Sequence, residues 1–307
     1  MKRTLVVGEL NVDMVLHGVA SYPTPGREVF AEACALTLGS ASAIFAVGLA
    51  KLGNPVSFVS TVGRDGWAEY CLDILRQAGI DVSRITQDNS VQTGITVSIP
   101  FDDDRTLVTF PGASRVQTDA GLDEGVLSQF EHLHVSSYFL QAGLRPCCAR
   151  LFARASRLGL TTSLDPGFDP SERWGDDLLD VLQHTDVFLP NEVELTAVTG
   201  CRDHLDGLRK LENGRTVTVV KLGAKGCLAL GRGEAVHMPA FTVDAVDPTG
   251  AGDSFNAGFL HAWLRGRSLQ DCLRQGAACG ALSTLGLGGV ASQPSARQLD
   301  DFLRAAS

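Results

Sequence analysis

The chain has 307 residues, 44% of them hydrophobic and 20% charged, and this composition excludes a disordered or fibrous protein. Its 26 lysines and arginines against 35 aspartates and glutamates give a net charge of −9, which disfavours a nucleic-acid partner. No window approaches the roughly 18 apolar residues that a membrane-spanning helix needs, so no membrane association is expected.

The predicted elements begin with a buried strand at Thr4–Val7. Glu9, Asn11 and Asp13 interrupt this apolar segment too early for a secretion signal, so a cytoplasmic protein is expected. The eight cysteines have neither a repeated spacing nor the pairing with histidine that is typical of zinc sites. We therefore predict reduced thiols, most of them in the core.

Short apolar segments of strand length recur along the chain, at residues 56–62, 132–136, 160–164, 186–189 and 217–220. Helical patterns between them cover residues 41–52, 67–78 and 146–158. Each helix is followed by a glycine where a left-handed C-cap is expected, at Gly53, Gly79 and Gly159. This alternation predicts a three-layer α/β/α core around a mostly parallel sheet.

Two stretches, residues 15–38 and 90–110, lack helical periodicity. They alternate apolar and polar residues and contain turn signals, such as the three aspartates at 102–104. We interpret them as antiparallel strands that pair into a small sheet and form a lid over the carboxyl edge of the core. Two ordinary surface hairpins are the alternative. Residues 1–307 are interpreted as a single domain that carries this lid.

The most specific motif is the segment 247–253, which reads Asp-Pro-Thr-Gly-Ala-Gly-Asp. Phe255 and Phe259 follow it at helical spacing, so the glycines stand at the start of an amphipathic helix. Gly250 and Gly252 allow backbone N–H groups to approach a ligand closely, and a helix start attracts negative charge. The motif therefore predicts a cradle for a phosphate or an oxyanion.

Asp253 stands in the first turn of this predicted helix. A carboxylate beside an anion cradle suits phosphoryl transfer to a hydroxyl, because the acid can take the proton of the alcohol. The alternative is an ordinary acidic residue that stabilises the helix start. Two other nucleotide-binding signatures fail: no glycine is followed by lysine, and the glycine-rich segment 286–291 follows a predicted helix.

The segment 247–253 resembles the carboxyl-terminal signature of the PfkB/ribokinase-type carbohydrate kinases, Asp-Thr-Thr-Gly-Ala-Gly-Asp, with Pro248 in place of the first threonine. The resemblance continues in order along almost the whole chain, through residues 8–13, 39–53, 190–194 and 221–226. It implies a ribokinase-like fold and ATP-dependent phosphorylation of a hydroxyl on a small sugar or sugar-like substrate. Magnesium would accompany ATP.

The resemblance also implies roles for particular residues. Asp253 would be the general base, and Gly250, Ala251 and Gly252 would form the anion hole. The implied substrate-binding residues are Asn11, Asp13, Gly39 and Ser40, and the implied nucleotide-binding residues are Asn191, Lys221, Gly223 and Gly226.

Two cation sites are implied as well. Asn191 and Glu194 would hold magnesium through water, although their spacing equally fits an N-cap with a capping box, and the two roles are compatible. Asp247 and Thr249 would adjoin a monovalent cation such as potassium.

Two departures from the family pattern leave the substrate open. Ile44 stands where the family commonly has asparagine, and Gly167 stands where many members have the asparagine of Asp-x-Asn. The acceptor is therefore open among sugars, polyols, sugar acids and nucleosides. The alternatives are a nucleoside kinase of the same fold and a non-catalytic sugar or nucleotide sensor, which Asp253 and the glycine cradle disfavour. Exposed lid edges favour a homodimer.

Overall fold

The computed structural model describes residues 2–101, 104–175, 177–231 and 233–306. Strands and helices alternate along most of this part of the chain. Its strands are β1 (Thr4–Val7), β2 (Asn11–His17), β3 (Ala33–Leu38), β4 (Val56–Gly63), β5 (Asp81–Asp88), β6 (Gly94–Phe101), β7 (Asp104–Phe110), β8 (His132–Val135), β9 (Thr161–Leu164), β10 (Val187–Phe188), β11 (Val217–Lys221), β12 (Cys227–Gly231) and β13 (Glu234–Met238). Its α-helices are α1 (Ala41–Lys51), α2 (Gly66–Gln77), α3 (Glu124–Leu127), α4 (Arg145–Arg157), α5 (Asp177–Leu182), α6 (Glu192–Thr199), α7 (His204–Lys210), α8 (Ala251–Trp263), α9 (Leu269–Ser283) and α10 (Ala296–Ala305).

The main sheet has the strand order β13-β12-β11-β10-β9-β8-β1-β4-β5. It is parallel from β11 to β5, and β12 and β13 add an antiparallel edge. Successive residues of β1 pack on opposite faces of the sheet. Val6 joins a buried cluster with α1, α2, α8 and α9, whereas Leu5 and Val7 join a second cluster with α4 to α7. Helices therefore cover both faces, which confirms the predicted three-layer core.

The predicted strands and helices of the core agree with the observed ones to within one residue at each end. Gly53, Gly79 and Gly159 have φ angles of 82°, 75° and 84°, in the left-handed region expected after a helix. All eight cysteines are free thiols and six are buried, as predicted. None of the helices in the described residues combines the length and the apolar content that crossing a bilayer requires.

The second sheet is separate and small, with the strand order β3-β2-β6-β7. It begins at Asn11 rather than at residue 15, and residues 18–32 contain no strand. β2 and β6 pair in parallel, so the predicted antiparallel arrangement is wrong for this pair. The reason is that β2 follows β1 and β6 follows β5, and these parallel strands point to the same edge of the main sheet. Asp102 and Asp103 of the predicted turn lie outside the described residues.

Candidate active site

Two cavities open where the parallel strands of the main sheet end. The first, of about 210 Å³, lies between the small sheet and the start of α1 and is partly polar. The second, of about 520 Å³, is lined mainly by small and apolar residues of α8, α9 and the segment 240–245. The start of α8 lies between them, because Thr249 lines the first cavity whereas Ala251 and Gly252 line the second.

Asn11 and Asp13 line the first cavity from β2. Residues two apart in a strand point to the same face, and Asn11 Nδ2 lies 3.2 Å from Asp13 Oδ1. A Cβ at Gly39 would overlap the Asp13 carboxylate, so a larger residue here would displace that side chain. Asn11 and Asp13 therefore both belong to the small sheet itself.

Ser40 also lines the first cavity and is the N-cap of α1. Its hydroxyl accepts a hydrogen bond from the Ala43 N–H at 3.2 Å. Its φ of 71° and ψ of 119° lie in a region that favours glycine, so the backbone is strained at this serine.

Glu9 is a lining residue that the sequence reasoning did not select. It is only 7% exposed, and its Oε2 accepts a hydrogen bond of 2.7 Å from the Ser42 hydroxyl. Burial raises the pKa of Glu9 above its ordinary value, although the hydrogen bonds from Ser42 act to lower it. An acidic residue just beyond the buried strand β1 is a signal that the sequence contained.

Asp253 lies in the first turn of α8. Its carboxylate makes no hydrogen bond to the part of the chain that the structure describes. Burial raises the pKa of Asp253 well above its ordinary value; the Asp165 carboxylate adds to this effect, and the Lys221 ammonium opposes it. Asp253 is thus a stronger base than an exposed aspartate would be.

The three predicted anion-hole residues differ in what their backbone does. The Ala251 N–H donates to the Pro248 carbonyl at 3.1 Å, so this donor is engaged within the loop. The N–H groups of Gly250 and Gly252 have no backbone acceptor among the described residues. Gly250 has a φ of 72°, and a Cβ there would come within 2.8 Å of the Gly289 backbone, so glycine is required at this position.

A buried polar network connects α8 with the end of β11 and the loop after β9. Asp165 follows β9, and its Oδ2 lies 2.7 Å from both Lys221 Nζ and Asn256 Nδ2. Burial acts to lower the pKa of Lys221, but the carboxylates of Asp165 and Glu194 raise it above its ordinary value. Lys221 is therefore held as a cation in the wall of the second cavity.

Asn191 and Glu194 form a capping box at the start of α6. Asn191 Oδ1 accepts from the Glu194 N–H at 2.8 Å, and Glu194 Oε2 accepts from the Asn191 N–H at 2.8 Å. Burial, together with the nearby Asp165 carboxylate, raises the pKa of Glu194 to about 7.

Gly223 and Gly226 both line the second cavity. Their φ angles are 57° and 92°, and a Cβ at Gly226 would overlap the Met238 carbonyl. Gly226 is therefore also required for the tight approach of β12 and β13. Lys225 is exposed and lies 3.4 Å from Glu192 at the surface.

Asp247 connects two loops next to α8. Its Oδ1 accepts from the Thr249 N–H at 2.9 Å, and its Oδ2 accepts from the Gly288 N–H at 2.8 Å. The glycine-rich stretch 286–289 is thereby held against the motif at 247–253.

Comparison with known proteins decides the family. The family model described as pfkB family carbohydrate kinase matches residues 1–296. This chain belongs to that family. It is 29% identical to a ribokinase from Haemophilus influenzae, over 99% of both chains. It is 32% identical to an ATP-dependent ribose-1-phosphate kinase from Halopiger xanaduensis, over 99% of this chain and 98% of the relative.

The pfkB family assignment agrees with the fold. The structure of Arabidopsis thaliana ribokinase complexed with ribose and ATP has a TM-score of 0.84 to this chain, at 23% identity and over 99% of both chains. The predicted ribokinase-like fold is therefore confirmed. The chain is a carbohydrate kinase by family.

The two departures from the pfkB pattern have structural explanations. Ile44 is 3% exposed and fills the space against Gly250 and Gly289. Gly167 has a φ of 63°, and a Cβ there would come within 2.8 Å of Ser137 Cα. Neither Ile44 nor Gly167 lines the first cavity. The absence of an asparagine at these two positions therefore removes no polar group from the wall of that cavity.

Proposed function

We propose that this pfkB family kinase transfers the γ-phosphoryl group of ATP to a hydroxyl of a small sugar or sugar-like substrate. The observation that carries this proposal is the position of the α8 start between a partly polar cavity and a larger apolar one. A sugar in the first cavity and a nucleotide in the second would meet at this helix start. Phosphoryl transfer depends mainly on such positioning and on charge stabilisation.

Asp253 is the proposed general base. Its carboxylate has no hydrogen-bond partner among the described residues, so it is available for the proton of the attacking hydroxyl. The raised pKa increases its affinity for that proton, and the cation of Lys221 limits the increase. Asn11 and Asp13 would orient the sugar by accepting and donating hydrogen bonds to its hydroxyls.

The charge on the transferred group would be stabilised at the start of α8. The N–H groups of Gly250 and Gly252 and the helix dipole supply positive potential there. Gly223, Gly226, Lys221 and Asn191 would contact the nucleotide. The name of the Halopiger relative and the ATP in the Arabidopsis structure support ATP as the donor.

Magnesium is expected to enter with ATP and to neutralise charge on its phosphates. The residues present fit such an ion. Burial and the Asp165 carboxylate raise the pKa of both Glu194 and Asp253, and an added cation would relieve the repulsion between these carboxylates. Asn191 and Glu194 would hold the ion through water. A potassium requirement, through the loop at Asp247 and Thr249, stays a prediction.

The test is ADP release from ATP across a panel of sugars, polyols, sugar acids and nucleosides, with wild type and Asp253→Asn. We expect at least one compound of the panel to stimulate ADP release. We expect Asp253→Asn to lower kcat with that compound by about 100-fold or more, with unchanged melting temperature and nucleotide affinity. Asp271→Asn is the matched control, because Asp271 is also the third residue of its helix, α9. It should leave kcat almost unchanged.

Two outcomes would refute the proposal. One is the absence of ADP release above background with every compound. The other is a folded Asp253→Asn variant with near-wild-type kcat, which would reduce Asp253 to a helix-stabilising charge. A nucleoside as the best substrate would instead select the nucleoside-kinase alternative.

A further inference from the structure

We propose that Asn256 is a positioning residue for phosphoryl transfer: its side-chain amide holds the Lys221 ammonium beside the start of α8, where the transferred phosphoryl group of ATP is expected. The inference rests on the proposed function, because this function places the phosphoryl group at the helix start. Asn256 lies outside the motif at 247–253 and outside the other segments that carry the family resemblance.

The amide of Asn256 contacts both members of a buried ion pair. Its Nδ2 donates to Asp165 Oδ2 at 2.7 Å, and its Oδ1 accepts from Lys221 Nζ at 3.3 Å. Lys221 Nζ also donates to Asp165 Oδ2, at 2.7 Å. A carboxylate only accepts hydrogen bonds and an ammonium only donates them, so a side chain that bridges the two must do both. An amide meets this requirement, whereas an aliphatic side chain of similar size does not.

The ion pair is also fixed from the side of Asp165. The second carboxylate oxygen, Asp165 Oδ1, accepts from the Gly167 N–H at 3.0 Å, so both oxygens of this group are engaged. Lys221 has a flexible four-carbon stem, and a single contact to Asp165 would leave its ammonium free to rotate about that oxygen. The second contact, from Asn256, ties the ammonium to α8.

The ammonium that is held in this way lies beside the proposed anion site. A Cβ added to Gly252 would be 3.6 Å from Lys221 Nζ, and both residues line the second cavity. Asn256 and Asp253 are three residues apart in α8, so they lie on the same side of the helix. Asn256 itself is 0% exposed, so it acts through Lys221 and does not touch the nucleotide.

Burial makes the exact place of this charge important. The side chains of Lys221 and Asp165 are 13% and 7% exposed, so water screens the ammonium little. A cation that is already fixed where negative charge gathers stabilises a transition state better than a mobile one, because no reorganisation is needed during the reaction. The contact from Asn256 therefore favours the transfer step itself.

The experiment replaces Asn256 by leucine, which is similar in size but cannot bridge the pair. Affinities for ADP and for a non-hydrolysable ATP analogue are measured by calorimetry, and kcat and KM are measured by ADP release with the best acceptor. We expect Asn256→Leu to weaken the ATP analogue about tenfold and ADP hardly at all, because ADP lacks the phosphoryl group beside Lys221. The kcat should fall about tenfold or more, with an unchanged KM for the acceptor.

A double-mutant cycle tests whether Asn256 acts through Lys221. Lys221→Met removes the ammonium and should by itself weaken the ATP analogue relative to ADP. Asn256→Leu should then have little further effect in the Lys221→Met background, since no cation is left to position. Additive losses in the double variant would overturn the proposal.

Asn54→Leu is the matched control. Asn54 is also a buried amide that contacts α8, with its Nδ2 2.8 Å from His261 Nδ1. We expect this variant to have a lower melting temperature and a wild-type ratio of the two nucleotide affinities. An equal loss of ADP and ATP-analogue binding in Asn256→Leu would reduce Asn256 to a packing residue and overturn the proposal. If Asn256→Leu does not fold, Asn256→Ser replaces it, because the shorter side chain should break the bridge and change the same ratio.

This test and that of the proposed function fail separately. The absence of ADP release with every compound would refute the kinase reaction, while a selective loss of the ATP analogue in Asn256→Leu would still support the position of Lys221. ADP release by wild type, together with a wild-type affinity ratio and kcat in folded Asn256→Leu, would refute the present inference alone.

Discussion

At the scale of single residues, Asp13 distinguishes the two cavities. It lines the first and is absent from the lining of the second. We therefore expect Asp13→Ala to raise the KM for the acceptor by about tenfold or more, because a sugar hydroxyl loses a charged hydrogen-bond partner. The dissociation constant of nucleotide should stay almost unchanged. Acceptor kinetics and a nucleotide titration measure both effects.

The control for this change is Asp73→Ala, which removes an exposed carboxylate from α2. It should alter neither constant. An equal loss of acceptor and nucleotide binding in Asp13→Ala would contradict the assignment of the first cavity to the acceptor.

At the scale of elements, the anion site proposed at the start of α8 depends on the small size of Gly252. A Cβ at this position would meet the Lys221 side chain at ordinary van der Waals distance, with Nζ nearest at 3.6 Å, so the helix itself can accommodate a side chain. The branches of valine would project towards Lys221 and the second cavity, where the phosphate is expected. We expect Gly252→Val to fold and to lower kcat/KM for ATP by about tenfold or more.

Gly66→Val is the matched control, because Gly66 begins α2 and a Cβ there would meet no atom within 4 Å. It should have wild-type kinetics. Wild-type turnover in Gly252→Val, together with an unchanged melting curve, would remove Gly252 from the anion hole.

Strand β8 contains two fully buried histidines, and a serine of the neighbouring strand β9 contacts both of them. Ser163 Oγ lies 2.8 Å from His132 Nε2 and 2.7 Å from His134 Nδ1. Burial lowers the pKa of His134 to about 3 and that of His132 well below its ordinary value. Both imidazoles are therefore neutral in the folded protein at pH 7.

This predicts a stability cost in acid. Below the unfolded-state pKa of about 6.5, His134 takes up a proton only when the chain unfolds, so its contribution to the free energy of unfolding falls as pH falls towards 3. Wild type should lose about 2 kcal/mol between pH 6.5 and pH 5 relative to His134→Gln, which lacks this group. Chemical denaturation at the two pH values measures the difference.

The control is His237→Gln on the exposed strand β13, compared with wild type at the same two pH values. A difference between wild type and His134→Gln that does not change with pH would contradict the neutral buried histidine.

At the scale of the whole molecule, the small sheet has an exposed apolar edge. β7 is its last strand, and Val108 and Phe110 are 60% and 47% exposed. Such edges tend to pair with another chain, so we predict a homodimer through the small sheet, with twice the 32.5 kDa of one chain. Light scattering after size exclusion should give this mass, and Val108→Lys should shift it towards the monomer.

Val246→Lys is the control, because Val246 is also 60% exposed but lies outside the small sheet. A monomeric wild type, or a Val108→Lys variant with the mass of the dimer, would contradict this arrangement.

The sequence by itself determined the features that depend on neighbours along the chain. Strand and helix bounds follow from the spacing of apolar residues, and the C-caps at Gly53, Gly79 and Gly159 follow from the rarity of left-handed backbone in other residues. The helix start at 247–253 was recognisable because its glycines directly precede apolar residues at helical spacing. The spacing of Asn191 and Glu194 predicted a capping box, because all of its atoms lie within one turn.

Only the tertiary structure decided the features that depend on distant residues and on burial. The parallel pairing of β2 with β6 follows from where β1 and β5 leave the main sheet. Lys221 meets Asp165 across 56 positions of sequence, and Ser42 meets Glu9 across 33. No local sequence pattern encodes these contacts. The pKa values of the buried groups and the charge of the cavities depend on the contacts, because burial removes the water that would otherwise screen each group.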